Sequence, residues 1–139
     1  DSWDRGRFRV LLPFTEYDNK NNNSIVLLST IGGKTWLFTG DIEKEAERNF
    51  VELFPSLEVD VLLVAHHGSS TSTTEAFLEL INPKVSIIPV GRNNRYGHPD
   101  TEVLNKLVER NIKVYRTDED GAIIYRFRRQ SGTFSTVLP

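Results

Sequence analysis

The chain has 139 residues, enough for one domain with a modest core or for part of a larger one, and 38% of them are apolar. No run approaches the ~18 consecutive apolar residues of a membrane-spanning helix, and residues 1–9 lack the apolar stretch of a signal peptide. A formal charge of −2 excludes a wholly basic nucleic-acid module, and the absence of cysteine excludes disulfides and thiolate metal sites.

Taken in chain order, residues 7–12 (RFRVLL) alternate loosely and predict a strand closed by Pro13. Residues 16–23 (EYDNKNNN) carry too little apolar area to pack and read as a loop. A short apolar strand follows at 25–29. Gly32-Gly33 signals a hairpin turn, and 34–38 returns as the partner strand, ending at Thr39-Gly40-Asp41. Ile42, Ala46, Phe50 and Phe54 recur every four residues between charges, which predicts a helix over 42–54 with Asp41 as its N-cap. Residues 59–65 (VDVLLVA) form the nearly continuous run of a buried parallel strand. A helix is expected over 73–81, capped by Ser72 or Thr73 and stopped by Asn82-Pro83. A buried strand at 85–90 and a loop at 91–99 come next, then a helix over about 100–110 and strands at 113–116 and 121–127. The tail past Arg128 is polar and is expected to be frayed until Val137. A hairpin followed by alternating helices and strands specifies an α/β layered domain.

Three motifs each follow a strand and open a loop, the position where layered α/β proteins gather ligands. In Phe38-Thr39-Gly40-Asp41 the glycine permits a sharp turn and the carboxylate emerges at the strand tip, where its two oxygens can reach two cations. The plainer reading is a helix cap. In residues 64–70 (VAHHGSS), adjacent histidines at a strand end point to opposite faces. One then enters a given coordination shell while the other orients a substrate or a ligand. The plainer reading is two structural histidines ahead of a helix-capping stretch. In residues 91–99 (GRNNRYGHP) the density of donors suits an anion such as a phosphodiester, against a plainer reading as a solvated loop. The chain has no Gly-x-Ser-x-Gly elbow and no Gly-Lys-Ser/Thr phosphate loop.

Together these residues resemble the metallo-β-lactamase superfamily and, within it, the C-terminal hydrolase domain of ComEC-type competence proteins. The resemblance runs through Asn23-Ser24, 38–41, 63–73, Asn82-Pro83, 91–99, Thr117-Asp118 and Gly121. Its specific part is Thr-Gly-Asp, then His-His-Gly-Ser starting 25 positions after Asp41, then an Asn-x-x-Gly-His-Pro loop. It implies the second half of an αββα sandwich over residues 23–127, led in by a strand and polar loop (1–22) and followed by a tail (128–139). The half-sandwich would be a mixed sheet with helices on one face, in which strands 59–65, 85–90, 113–116 and 121–127 join the hairpin. The resemblance also implies two divalent ions, manganese or zinc, in the intact domain. Asp41 matches the bridging carboxylate and His66 the late histidine ligand, with His67 as the alternative. His67 and His98 are then candidate catalytic groups, and Ser69, Arg92, Asn94 and Arg95 are candidate substrate contacts. The implied chemistry is metal-assisted hydrolysis of a phosphodiester.

The superfamily's early His-x-His-x-Asp-His-type metal motif is absent from the chain. The chain is therefore expected to be a fragment, soluble but nearly inactive alone, of a parent in the cell membrane whose hydrolase domain lies outside the cytoplasm. Expected partners are DNA, single-stranded during uptake, together with the missing N-terminal half of the domain and the membrane channel. No small-molecule cofactor is expected. The competing class is a non-catalytic module that grips DNA or a partner with Arg92, Arg95, Tyr96 and the arginines of 126–129. A third reading is a superfamily hydrolase acting on lipid or small phosphoesters.

Overall fold

A computed structural model describes residues 8–138; the expected strand at 7–12 begins there at Phe8, and Arg7 lies outside the described residues. The strands are β1 (Phe8–Leu12), β2 (Val26–Ile31), β3 (Lys34–Phe38), β4 (Val61–Leu63), β5 (Val85–Ile88), β6 (Lys113–Arg116), β7 (Ile123–Arg128) and β8 (Ser131–Thr136). Helices α1 (Lys44–Leu53), α2 (Glu75–Ile81) and α3 (Thr101–Glu109) connect the middle strands, and a single helical turn α4 (Thr117–Asp120) follows β6.

The first six strands form one mixed sheet in chain order. β1 pairs antiparallel with β2, and β2 with β3 through the Gly32-Gly33 turn, with Leu28 opposite Leu37. β3 to β6 pair parallel, aligning Leu37, Leu62 and Ser86 across the sheet. Three successive crossovers join neighbouring parallel strands, and the right-handedness general to such connections puts α1, α2 and α3 on one face. Their apolar stripes close the core there: Phe50 of α1 lies 5.3 Å from Phe77 of α2, ring centre to ring centre, and Val103 and Leu107 of α3 are fully buried. The mixed α/β sheet with helices on one face is therefore as expected.

Helix starts differ from expectation. α1 begins at Lys44 after an extended Glu43, so Asp41 does not cap it; the Asp41 N–H instead donates to Ser24 Oγ at 3.1 Å. α2 is capped by Thr74, not Ser72 or Thr73, with Thr74 Oγ1 accepting from the Phe77 N–H. Two further N–H groups at this end, of Thr73 and Thr74, donate to the fully buried carboxylate of Glu47 on α1. The 16–23 run is also more ordered than a loop, since Lys20–Asn23 is a 3₁₀ turn and Asn22 is buried.

The largest departure is at the C-terminus. β7 does not join the main sheet, and the supposed frayed tail supplies β8, its antiparallel partner. Gly121, at φ 69°, turns the chain out of the sheet after α4. The β7–β8 hairpin then packs on the face opposite the helices. Trp36 there meets Tyr125 at 5.4 Å and Phe134 at 5.7 Å, and Tyr115 meets Phe134 at 5.5 Å. Tyr125 Oη donates to the Gly32 carbonyl at 2.9 Å.

Candidate functional site

The site forms where parallel β3, β4 and β5 end together. Past Phe38 the chain turns at Gly40, whose φ of 57° favours glycine and where a Cβ would stand 2.9 Å from Ser24 Cβ. The next residue, Asp41, borders an open cleft of about 180 Å³ lined by Phe38, Thr39, Gly40, Leu63, Val64, His67 and Pro89.

β4 ends at Leu63, and His66 and His67 follow in a left-handed turn, at φ 48° and 56°. Such a conformation costs non-glycine residues on the order of 1–2 kcal/mol each. Surrounding bonds hold it: the His66 N–H donates to the Gly40 carbonyl at 3.0 Å, and His67 Nδ1 lies 2.6 Å from the Pro89 carbonyl. Because the strand has already ended, the two-residue alternation of side chains does not apply. The two rings therefore do not face opposite sides of the sheet; their centres are 6.4 Å apart at the same end of it.

A carbonyl can only accept, so His67 Nδ1 carries a proton, and in the neutral ring the lone pair is on Nε2. That Nε2 stands 3.9 Å from Asp41 Oδ1, and both side chains are about half exposed (52% and 48%). His66 is more enclosed, with Nδ1 3.4 Å from Glu43 Oε1 and 3.3 Å from Thr71 Oγ1. Its ring also lies 5.9 Å from that of His98. His98 is stacked on the outer side by Tyr96 at 6.0 Å, and its buried Nδ1 has no hydrogen-bond partner among the described residues, with Asp100 Oδ1 3.6 Å away. Asp41, the histidine pair and His98 thus form a continuous run of side chains.

Close backbone approach joins the two loops. Gly68, at φ 82°, leaves space for Pro99, and the Asp100 N–H donates to the Gly68 carbonyl at 2.9 Å. The Asp100 carboxylate accepts the Ser70 N–H at 2.6 Å, and this bond is the main reason its pKa falls below the usual aspartate value. At the base of the 91–99 loop, Thr117 Oγ1 accepts the Val90 N–H and donates to the Val90 carbonyl, both at 2.8 Å.

Two of the expected substrate contacts have partners within the chain in this geometry. Asn94 spends its amide on the backbone of His98, accepting its N–H at 2.9 Å and donating to its carbonyl, so it closes the loop from within. Ser69 is buried, with its hydroxyl engaged by the N–H and hydroxyl of Thr71. Arg92 and Arg95 remain exposed, Arg92 resting on the Asp118 carbonyl at 3.4 Å. The 126–129 arginines are not brought to this loop. Their hairpin tip packs against Gly32 and Gly33, at the end of β3 opposite Asp41.

Nitrogen and oxygen donors suit zinc or manganese, and the lone pair of His67 beside a carboxylate has the form of a ligand pair. Among the described residues, however, no group of three histidine, aspartate or glutamate side chains is gathered to hold an ion. The residues fit part of a metal shell. Sequence reasoning missed Glu43, Pro89 and Asp100, which act through backbone or neighbouring groups and carry no motif, and it had Thr117 only within the resemblance, without a role. No helix among the described residues is long and apolar enough to cross a membrane.

The model of the metallo-beta-lactamase superfamily matches residues 11–92, more than half of the chain. The chain is 46% identical over 134 residues to ComE operon protein 3 of Bacillus subtilis, covering 96% of this chain and 17% of that protein. It is 34% identical over 129 residues to Competence protein ComA of Neisseria gonorrhoeae, covering 91% of this chain and 19% of that protein. It is 34% identical over 126 residues to Recombination protein 2 of Haemophilus influenzae, covering 90% of this chain and 16% of that protein. The chain spans less than a fifth of the length of each of these relatives. With its motifs at the strand ends of one mixed sheet and its similarity to ComEC-type competence proteins, the chain belongs to the metallo-beta-lactamase superfamily.

Proposed function

We propose that this chain is the part of a metal-dependent phosphodiesterase domain that carries its carboxylate and late-histidine ligands, in a protein that handles DNA during uptake. The observation that supports this most directly is the 3.9 Å approach of His67 Nε2 to Asp41 Oδ1 at the mouth of the strand-end cleft. In this reading Asp41 and His67 hold the ion, and His66 offers a further nitrogen beside them. A bound divalent cation supplies Lewis-acid polarisation of the phosphodiester and offsets its developing charge. Exposed Arg92 and Arg95 meet the phosphate from the 91–99 loop. In the same reading His98, whose ring lies beside that of His66, holds a phosphate oxygen or gives a proton to the leaving group. The remaining ligands come from sequence outside these 139 residues, so the isolated chain binds metal weakly and turns over little. DNA as substrate, nuclease chemistry and a membrane-held parent with this domain outside the cytoplasm belong to the same proposal.

The test is titration with Mn²⁺ and Zn²⁺, followed by the NMR signals of the three histidines and the Asp41 amide. Selective response at His67 and Asp41, lost in Asp41→Asn and His67→Ala, is the expected result. DNA hydrolysis with manganese by the longer protein would separate catalysis from binding without turnover. Silence of these residues in the longer protein would overturn the metallohydrolase reading.

A further inference from the structure

The asparagine-rich run, which the proposed chemistry leaves unused, is densely hydrogen-bonded. Asn19 Nδ2 donates to Glu43 Oε2 at 2.9 Å, and Asn21 Nδ2 to Glu43 Oε1 at 2.8 Å. The buried Asn22 accepts the Glu43 N–H at 2.7 Å. Asn23 locks the run in place by exchanging two bonds with the backbone of Tyr17, at 2.9 and 2.8 Å. Ser24, next in sequence, accepts the Asp41 N–H at 3.1 Å. These side chains thus serve either their own run or the segment 41–45, the last through Asn22 Nδ2, which donates to Glu45 Oε2 at 3.4 Å.

The consequence falls on His66. An ionised carboxylate accepts only, and Glu43 Oε1 lies 3.4 Å from His66 Nδ1. The negative charge of a carboxylate that close to Nδ1 favours the ring proton there over a lone pair. Thr71 is compatible with this assignment, because its hydroxyl has Ser69 Oγ at 3.0 Å to donate to, leaving its oxygen free to accept from His66. Amides rather than carboxylates are required at 19 and 21, since an aspartate at either position would repel Glu43.

We propose that Glu43, seated by Asn19, Asn21 and Asn22, is a positioning residue that holds His66 in its Nδ1–H tautomer and leaves Nε2 as the basic nitrogen. This rests on the metal-site reading for its purpose, but not for its test. With Pro89 holding His67 in the same tautomer, both adjacent imidazoles then present Nε2, the form in which a histidine ligates a metal or accepts a proton.

The experiment is a long-range ¹H–¹⁵N correlation on the metal-free, ¹⁵N-histidine-labelled chain at a pH where the histidines are neutral. The wild type should show the Nδ1–H pattern for His66. Glu43→Ala should lose that pattern at His66 while leaving that of His67 unchanged, and Asn21→Ala should move His66 in the same direction. A wild-type His66 in the Nε2–H form overturns the proposal whether or not the variants fold. So does a folded Glu43→Ala chain with an unaltered His66. Because no metal is present, this failure is distinct from that of the metallohydrolase reading, which would appear as silence in the metal titration.

Discussion

Glu47 of α1 reaches across to the start of α2 and accepts the backbone N–H groups of both Thr73 and Thr74, although its side chain is wholly buried. A carboxylate there replaces water as the acceptor for an N-terminal helix turn. It ties the helix after the Asp41 loop to the segment after the histidine pair. Replacing Glu47 with alanine leaves two N–H groups unpaired, at about 1–3 kcal/mol each. Urea denaturation should show a loss of about 2–5 kcal/mol on that basis. Burial, the largest influence, raises the Glu47 pKa above the usual glutamate value. A raised folded-state pKa means that its contribution is fully present below about pH 4.3 and declines as pH rises through the folded value. The stability gap between wild type and Glu47→Gln should therefore shift towards the variant as pH rises over that window, and an unchanged gap would contradict the assignment.

Asp100 behaves with the opposite sign. Its pKa is lowered, chiefly by the Ser70 N–H, so the contact contributes above the unfolded-state value of about 3.9 and is lost as pH falls through the lower folded value. Denaturation curves between about pH 2.5 and 6 should show Asp100→Asn converging on wild type at the acid end. Parallel curves throughout would count against this contact.

Gly68 is a place where a methyl group has no room. A Cβ there would stand 2.6 Å from Pro99 Cβ and 3.1 Å from Pro99 Cα, on a backbone with φ 82°. Gly68→Ala should destabilise the chain by roughly 2–4 kcal/mol, from conformational strain and overpacking together. Amide shifts should reach the 91–99 loop, and a change confined to residues 66–70 would show that the two loops are not packed as described.

Thr117 bridges both backbone groups of Val90 through one hydroxyl. Thr117→Val keeps the branched shape and removes those bonds, at about 1–3 kcal/mol for the exposed orphan groups. Hydrogen exchange should quicken over residues 90–98, while the response of Asp41 to zinc is retained. Unaltered exchange would remove Thr117 as the clamp of this loop.

Phe134 tests the hairpin. It touches Trp36, Tyr115 and Tyr125, the last at 4.7 Å between ring centres. Phe134→Ala should cost about 3–5 kcal/mol and quench or shift Trp36 fluorescence. A change within about 0.5 kcal/mol would be the behaviour of a surface residue and would fit the frayed tail that composition suggests.

Much of this architecture was legible in local pattern. The runs VDVLLVA and VSII announce buried strands, the four-residue recurrence of Ile42, Ala46, Phe50 and Phe54 announces a helix, and Gly32-Gly33 announces a turn. The motif residues at strand ends were also visible, because a strand followed by glycine and a polar side chain leaves a recognisable signature. These features depend on neighbours within a few positions, so sequence by itself determined them.

Other features depend on partners far along the chain, and only the tertiary structure decided them. SGTFST reads as polar until Phe134 finds Trp36, nearly a hundred positions away, and becomes an inward-facing strand residue. The asparagine run reads as a loop until Glu43 gives its amides a carboxylate to hold. His66 and His67 are adjacent in sequence, yet their roles were set by a carbonyl at Pro89, a carboxylate at Glu43 and the early end of β4. Hydrogen-bond acceptors act over about 3 Å in space and leave no periodicity in sequence, which is why the histidine pair was visible and its orientation was not.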